Sequence, residues 1–182
     1  TKVNEQLGLS FSGNYHHNDG FFTNLHTHKK ADKLDNGAGR IGLTWKPAAH
    51  WTTRFITSYE YSNQGGYPYG LYNADKGTTE AVNYNNEGLY RRNLLTSGIN
   101  IRYNGPHISF NSQTSYQYIQ DKMGIDQDFS PRNIFYGQNK IRQHMYCQDI
   151  KVNLVNKSRN HWIIGAYVFQ KPLTRRLVLR RF

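Results

Sequence analysis

Apolar and polar residues alternate along seven stretches of this chain, at roughly 5–17, 39–46, 51–61, 91–103, 108–120, 141–155 and 161–169. Alternation with period two points successive side chains to opposite faces of a strand, so each stretch predicts a β-strand with one apolar face. Leu7, Leu9, Phe11 and Tyr15 share a face in the first; Ile41, Leu43 and Trp45 in the second. Trp51, Phe55, Tyr59 and Tyr61 follow in the third, with Ile56 off-pattern. Leu95, Ile99, Ile101 and Tyr103 line the fourth; Ile108, Phe110, Tyr116 and Tyr118 the fifth; Tyr146, Ile150, Val152 and Leu154 the sixth. The seventh, HWIIGAYVF, is apolar on both faces and cannot be oriented from its pattern.

The connections alternate in length. Those at 47–50, 104–107 and 156–160 are a few residues each, whereas 18–38, 62–90 and 121–140 run to twenty or more and are rich in Gly, Asn, Asp and Tyr. Long loops confined to one end have no rationale in a soluble sandwich. They are expected of an outer-membrane β-barrel, with short periplasmic turns and long outer loops. The predicted fold class is therefore all-β: an antiparallel up-and-down meander of about seven long strands, an incomplete piece of a transmembrane barrel.

Composition agrees. Apolar residues make up 37% of the 182, and 14 of them are Tyr. Exchanging those tyrosines for the 16 glycines leaves about 38%, against ~45–50% in soluble domains on that residue set. Polar-face residues such as Arg40, Arg54, Glu60, Arg102, Asp149 and Lys151 would be costly against a dry core but not in a wet lumen. Trp45, Trp51 and Trp162 sit at the short-turn ends, and Tyr59, Tyr61, Tyr116 and Tyr118 toward the long-loop ends, as two interfacial girdles would. No run of about 18 apolar residues is present, which excludes a transmembrane helix but not membrane strands. The net charge of +11 raises the question of nucleic acid, yet most of the basic residues are scattered singly through strands and loops, so no nucleic-acid partner is expected. Cys147, the single cysteine, reads as a packing residue.

The stretches LGLSFSGNYHHNDGFFTN, GRIGLTWKP, NQGGYPY, DFSP, QDIKVNL and HWIIGAYVF resemble, in order and spacing, the barrel portion of TonB-dependent outer-membrane receptors of the siderophore type. The resemblance rests on Asp19–Gly20–Phe21, Trp45–Lys46–Pro47, Gln148 to Val152, and Trp162 with Gly165, and covers about 5–170. It implies a barrel of roughly 22 strands around a plug, placed in the cell outer membrane, importing a ferric siderophore or a related bulky nutrient with energy passed through TonB. Seven strands leave no room for a plug or a TonB-contacting segment. TonB would therefore act only through parts absent from this chain, and the fragment by itself is expected to transport nothing. The alternatives are a small porin-like or adhesive barrel, which needs the tail as an eighth strand, and a soluble carbohydrate-binding domain, which needs a second layer over the apolar faces.

Residues 1–170 form the expected partial barrel. Residues 171–182, KPLTRRLVLRRF, lose the alternation and are expected to lie outside it; a shifted reading frame, a terminal aromatic signal on Phe182 and a basic arm are all compatible with that composition. Two candidate sites emerge from the loops. Tyr67, Tyr69 and Tyr72, with Arg91 and Arg92, could stack on and pair with an anionic, aromatic iron chelate. His26 and His28, two apart and so on one side of an extended strand, could contact a metal, although no Cys or paired carboxylate completes a known site. No nucleophile motif, phosphate loop or acid–base pair is recognisable. No catalysis and no cofactor are expected.

Overall fold

The computed structural model describes residues 1–155 and 161–182. The expected short turn at 156–160, with its Asn156–Lys157–Ser158 sequon, lies outside the described residues. The strands are β1 (Leu7–Asn18), β2 (Leu34–Trp45), β3 (Trp51–Gln64), β4 (Tyr72–Asn73), β5 (Thr78–Thr79), β6 (Leu89–Asn104), β7 (Ile108–Asp126), β8 (Phe135–Val155), β9 (His161–Gln170) and β10 (Leu173–Arg181). One antiparallel sheet runs β1-β2-β3-β6-β7-β8, and both β9 and β10 pair with β8; β4 and β5 form a separate hairpin. The fold is thus an unclosed all-β meander, as the alternation implies.

The register joins the alternating faces into continuous rows. Leu9, Leu43, Phe55 and Ile99 lie side by side on one face. Thr44, Arg54, Asn100, Gln113 and Asp149 lie side by side on the other. No second layer packs on either face: the long strands contact only their sheet neighbours among the described residues. Phe11 is 80% exposed and Trp45 47%. A soluble domain would have to cover this surface, since exposed apolar patches of such extent mark an interaction with lipid or protein. Polar residues within the apolar face satisfy one another: Thr57 pairs with Ser97 (2.8 Å), and Gln148 with Thr114 and Ser112. At the short-turn end Trp51 packs on Tyr103 (4.9 Å between ring centres). Toward the long loops Tyr116 packs on Tyr146 (5.0 Å) and Tyr118 on His144 (4.9 Å).

The strands are longer than the alternation indicates. β2 begins at Leu34 rather than 39, β7 reaches Asp126 rather than 120, and β8 begins at Phe135 rather than 141. Backbone pairing continues beyond the apolar zone, where both faces meet water and the side chains no longer alternate; the ladder hydrogen bonds do not depend on side-chain polarity. The third long connection shrinks accordingly to residues 127–134.

The tail also departs from expectation. Residues 173–181 form β10, paired with β8. Gln170 lies opposite Tyr146 and Leu173 opposite Gln143, so β10 prolongs β9 in one register across Lys171–Pro172. Pro172 lies opposite His144 in this register: its carbonyl accepts from the His144 amide (3.0 Å), but its ring nitrogen has no N–H to return the bond, so one ladder bond is missing where β9 passes into β10. The tail therefore extends the seventh long strand instead of supplying an eighth, which removes the feature that a small closed barrel requires. Arg175 and Arg176 sit in the strand without an apolar face to mark them, which is why the pattern concealed it.

Candidate functional site at the long-loop end

The three long loops, 19–33, 65–88 and 127–134, hold the buried apolar side chains of the described chain: Ala31, Val82 and Tyr84. The first and third loops are each shaped by a side chain that collects backbone donors. In the first, the Asp32 carboxylate accepts from the amides of Phe21 (3.0 Å) and Phe22 (2.9 Å). Gly20 makes this possible at φ 91°, where an added Cβ would meet Asp32 at 2.7 Å. In the third, Asp128 accepts from the amide of Ser130 (3.1 Å) and its hydroxyl (2.6 Å) and from the amides of Ile134 and Phe135. Burial works against ionisation of Asp128, but those bonds outweigh it and hold its carboxyl below the ordinary value.

Two buried polar residues lock the loops together. Asn24, 1% exposed, donates to the Tyr84 carbonyl (2.8 Å) and accepts from the Tyr84 amide (3.3 Å), joining the first loop to the second. Asp126 accepts from the Asn86 amide (3.2 Å) and the Phe129 amide (3.1 Å), joining the second to the third. Its burial raises its pKa, partly offset by these donors. Lys29 and Glu87 add an exposed ion pair (2.9 Å). Sequence reasoning missed Asn24 and Asp126; their polarity alone reads as loop composition.

Of the expected ligand residues, Tyr67 and Tyr69 stand together, 5.6 Å between rings, and Tyr69 meets Phe129 edge-on at 5.3 Å. Both tyrosines are nearly half exposed, so the three rings form an accessible aromatic surface across the second and third loops. Phe129 was not anticipated; the DFSP turn was the available signal, and the turn holds Phe129 at φ 52°. Tyr72 lies apart, on the β4–β5 hairpin. Arg91 and Arg92 do not act as a pair. They are consecutive in β6 and point to opposite faces. Arg92 forms a two-pronged pair with Asp121 (2.9 and 3.1 Å) and stacks on Tyr90, whereas Arg91 donates to Asn63.

The histidine pair is also rearranged. Residues 24–28 form a turn instead of an extended segment: the His28 amide donates to the Asn24 carbonyl and His28 has φ 57°. The shared direction expected of His26 and His28 on a strand is therefore lost, and no group of three metal-ligating side chains occurs among the described residues. Near this loop, His17 instead has defined partners, between Asp35 (2.7 Å) and Asp19 (3.0 Å). Its hydrogen bond to Asp35, then that to Asp19, raises its pKa, while Asp35 is lowered by accepting from His17 and Tyr15.

This geometry has a counterpart among solved structures. The ferric yersiniabactin uptake receptor FyuA from Yersinia pestis matches the chain with a TM-score of 0.77 and 15% identity, over 99% of this chain and 28% of that one. The fold is that of part of a TonB-dependent receptor barrel. Neither a family model nor a curated protein matches the chain by sequence. The matched structure is that of an uptake receptor, and the chain spans only 28% of its length.

Proposed function

We propose that the chain is a wall segment of an outer-membrane receptor that imports an iron–siderophore or similarly bulky chelate, coupled to TonB through parts of the receptor outside this segment. The observation that carries this reading is the sheet itself: one uncovered apolar face, one hydrated polar face, and every long loop at a single end. In lipid the apolar face needs no second layer, and the polar rows border an aqueous lumen. The long loops then face outside and the short turns face the periplasm. The likeness to an uptake receptor supports transport rather than catalysis.

Within that reading, the Tyr67–Tyr69–Phe129 surface is the ligand-contacting element, because aromatic faces stack on the flat ligand groups of phenolate or catecholate chelates. Arg92, held by Asp121 beside Tyr90, supplies positive charge from the polar face. The chain, folded in neutral detergent micelles, is titrated with a ferric phenolate chelate while tyrosine and tryptophan fluorescence is followed. Saturable quenching that Y67A/Y69A weakens by tenfold or more is expected. Equal quenching in the variant would remove the aromatic surface from the site. A soluble, cooperatively folded monomer in the absence of detergent would overturn the membrane reading.

A further inference from the structure

Two hydroxyls are buried where the first long loop meets the second. Neither Thr27 Oγ1 nor Tyr84 Oη has a hydrogen-bond partner among the described residues. Tyr84 is 3% exposed. A buried polar group without a partner is costly, and native folds keep few of them. These two share one place. Thr27, in the turn of residues 24–28, and Tyr84, in the second loop, line the same cavity of about 40 Å³, together with Asn24, Ala31, Gly65 and Gly88.

The loops approach closely at both glycines. A Cβ on Gly65 would collide with the Ala31 carbonyl, and one on Gly88 would meet the Gly65 carbonyl at 3.0 Å. Lys29 and Glu87, more than half exposed and paired at 2.9 Å, form the solvent side of the cavity.

Volume and donors select an occupant. A water molecule takes about 30 Å³ in the liquid, and a buried one makes about three hydrogen bonds. Each hydroxyl can donate to such a molecule or accept from it. Asn24 gives one amide hydrogen to the Tyr84 carbonyl and keeps a second to donate. Charge argues against an ion. Burial, then the carboxylates of Asp126, Asp32 and Glu87, raise the pKa of the Tyr84 phenol, so the potential at its oxygen is negative and repels an anion. A calcium ion would need six to eight oxygen ligands. The acid among the described lining residues is Glu87, already held by Lys29, and Lys30 adds a further positive charge.

We propose that a single structural water occupies this cavity, hydrogen-bonded to Thr27 Oγ1, Tyr84 Oη and the Asn24 amide, and ties the first loop to the second. It anchors the turn at 24–28 against Gly65, two residues before Tyr67, and so steadies the root of the aromatic surface. The site belongs to the loop junction and does not depend on which cargo the loops meet.

The chain, folded in neutral detergent micelles, is studied by water oxygen-17 magnetic relaxation dispersion and by amide hydrogen exchange. The dispersion should fall by one long-lived water in T27V/Y84F. Exchange is read at Leu25 and Gly65, whose amides donate to the Val82 and Lys33 carbonyls. T27V and Y84F should each accelerate it about fivefold, the loss of one hydrogen bond. The double variant should be little faster than the faster single one, because both hydroxyls hold the same water. T27S keeps the hydroxyl and should exchange like the parent. Far-UV circular dichroism checks the sheet, and Y84F alone carries the sign of the effect. Slower exchange in Y84F or T27V would overturn the site, since deleting a hydroxyl that has no partner relieves a cost. So would an unchanged dispersion, or a double variant accelerated about 25-fold, as two independent sites would give. Protection at Leu25 and Gly65 that rises with KCl concentration would replace the water with an ion.

Discussion

Truncating Asn24 to alanine should separate the first long loop from the second without disturbing the sheet. The side chain bridges 60 residues of sequence, donating to the Tyr84 carbonyl and accepting from the Tyr84 amide. It also accepts from the His26 amide (3.0 Å), but His26 is exposed and water can replace that bond. The two Tyr84 groups are buried with their residue, and each orphaned buried group costs about 1–3 kcal/mol. With partial hydration of the gap, a total of about 2–4 kcal/mol against the closed loops is expected, or about 30- to 900-fold in the opening equilibrium. Amide hydrogen exchange reads this directly. Exchange at Tyr84 and at Leu25, whose amide donates to the Val82 carbonyl, should accelerate by that factor, while Ile99 in mid-sheet stays unchanged. N24D should be nearly as damaging, because its carboxylate faces the Tyr84 carbonyl with no donor. Protection at Tyr84 and Leu25 within threefold of the parent, or equal acceleration throughout the strands, would refute the clamp.

Asp126→Ala should release the third loop from the second by orphaning the amides of Asn86, Asp128 and Phe129, exposing 127–134 to limited proteolysis while the β6–β7 pairing persists. His17 should titrate above its ordinary value of 6.5, so its pairing stabilises the β1–β2 end fully below that value and the stabilisation fades as pH rises through the higher folded value. Asp35, lowered in the folded state, contributes above its ordinary 3.8 and is lost as pH falls through its folded value. Imidazole proton chemical shifts against pH should show this, with D35N returning His17 toward 6.5. A double-mutant cycle on Arg92 and Asp121, read by urea unfolding in micelles, should give a coupling of only about 0.5–1 kcal/mol, since the Arg92 side chain is 39% exposed and solvent screens the pair despite its two-pronged geometry.

Much of the sheet was legible from alternation, and the misses share a cause. Six strands were orientable because their apolar and polar residues alternate over most of their length. The ends of β2, β7 and β8 were invisible because both faces there are polar, and β10 because basic residues fall on both sides of an edge strand. The site was less legible. Tyr67 and Tyr69 come together because they are two apart in one loop, whereas Phe129 joins them from 60 residues further along. Arg91 and Arg92 were grouped by adjacency, although adjacency in a strand is what separates them.

The sequence by itself determined which face is apolar in six of the strands, because side-chain direction follows backbone parity and parity is local. It also determined the turns at Asp19–Gly20 and Asp128–Pro131, where a carboxylate or glycine acts within a few residues. Only the tertiary structure decided how the loops join, because Asn24 and Asp126 work through backbone groups 60 and 40 residues away, and any residue presents the same N–H and C=O. It likewise decided that the basic tail is a strand: β8, with a free edge of unpaired hydrogen-bonding groups, accepts a partner whatever side chains that partner carries.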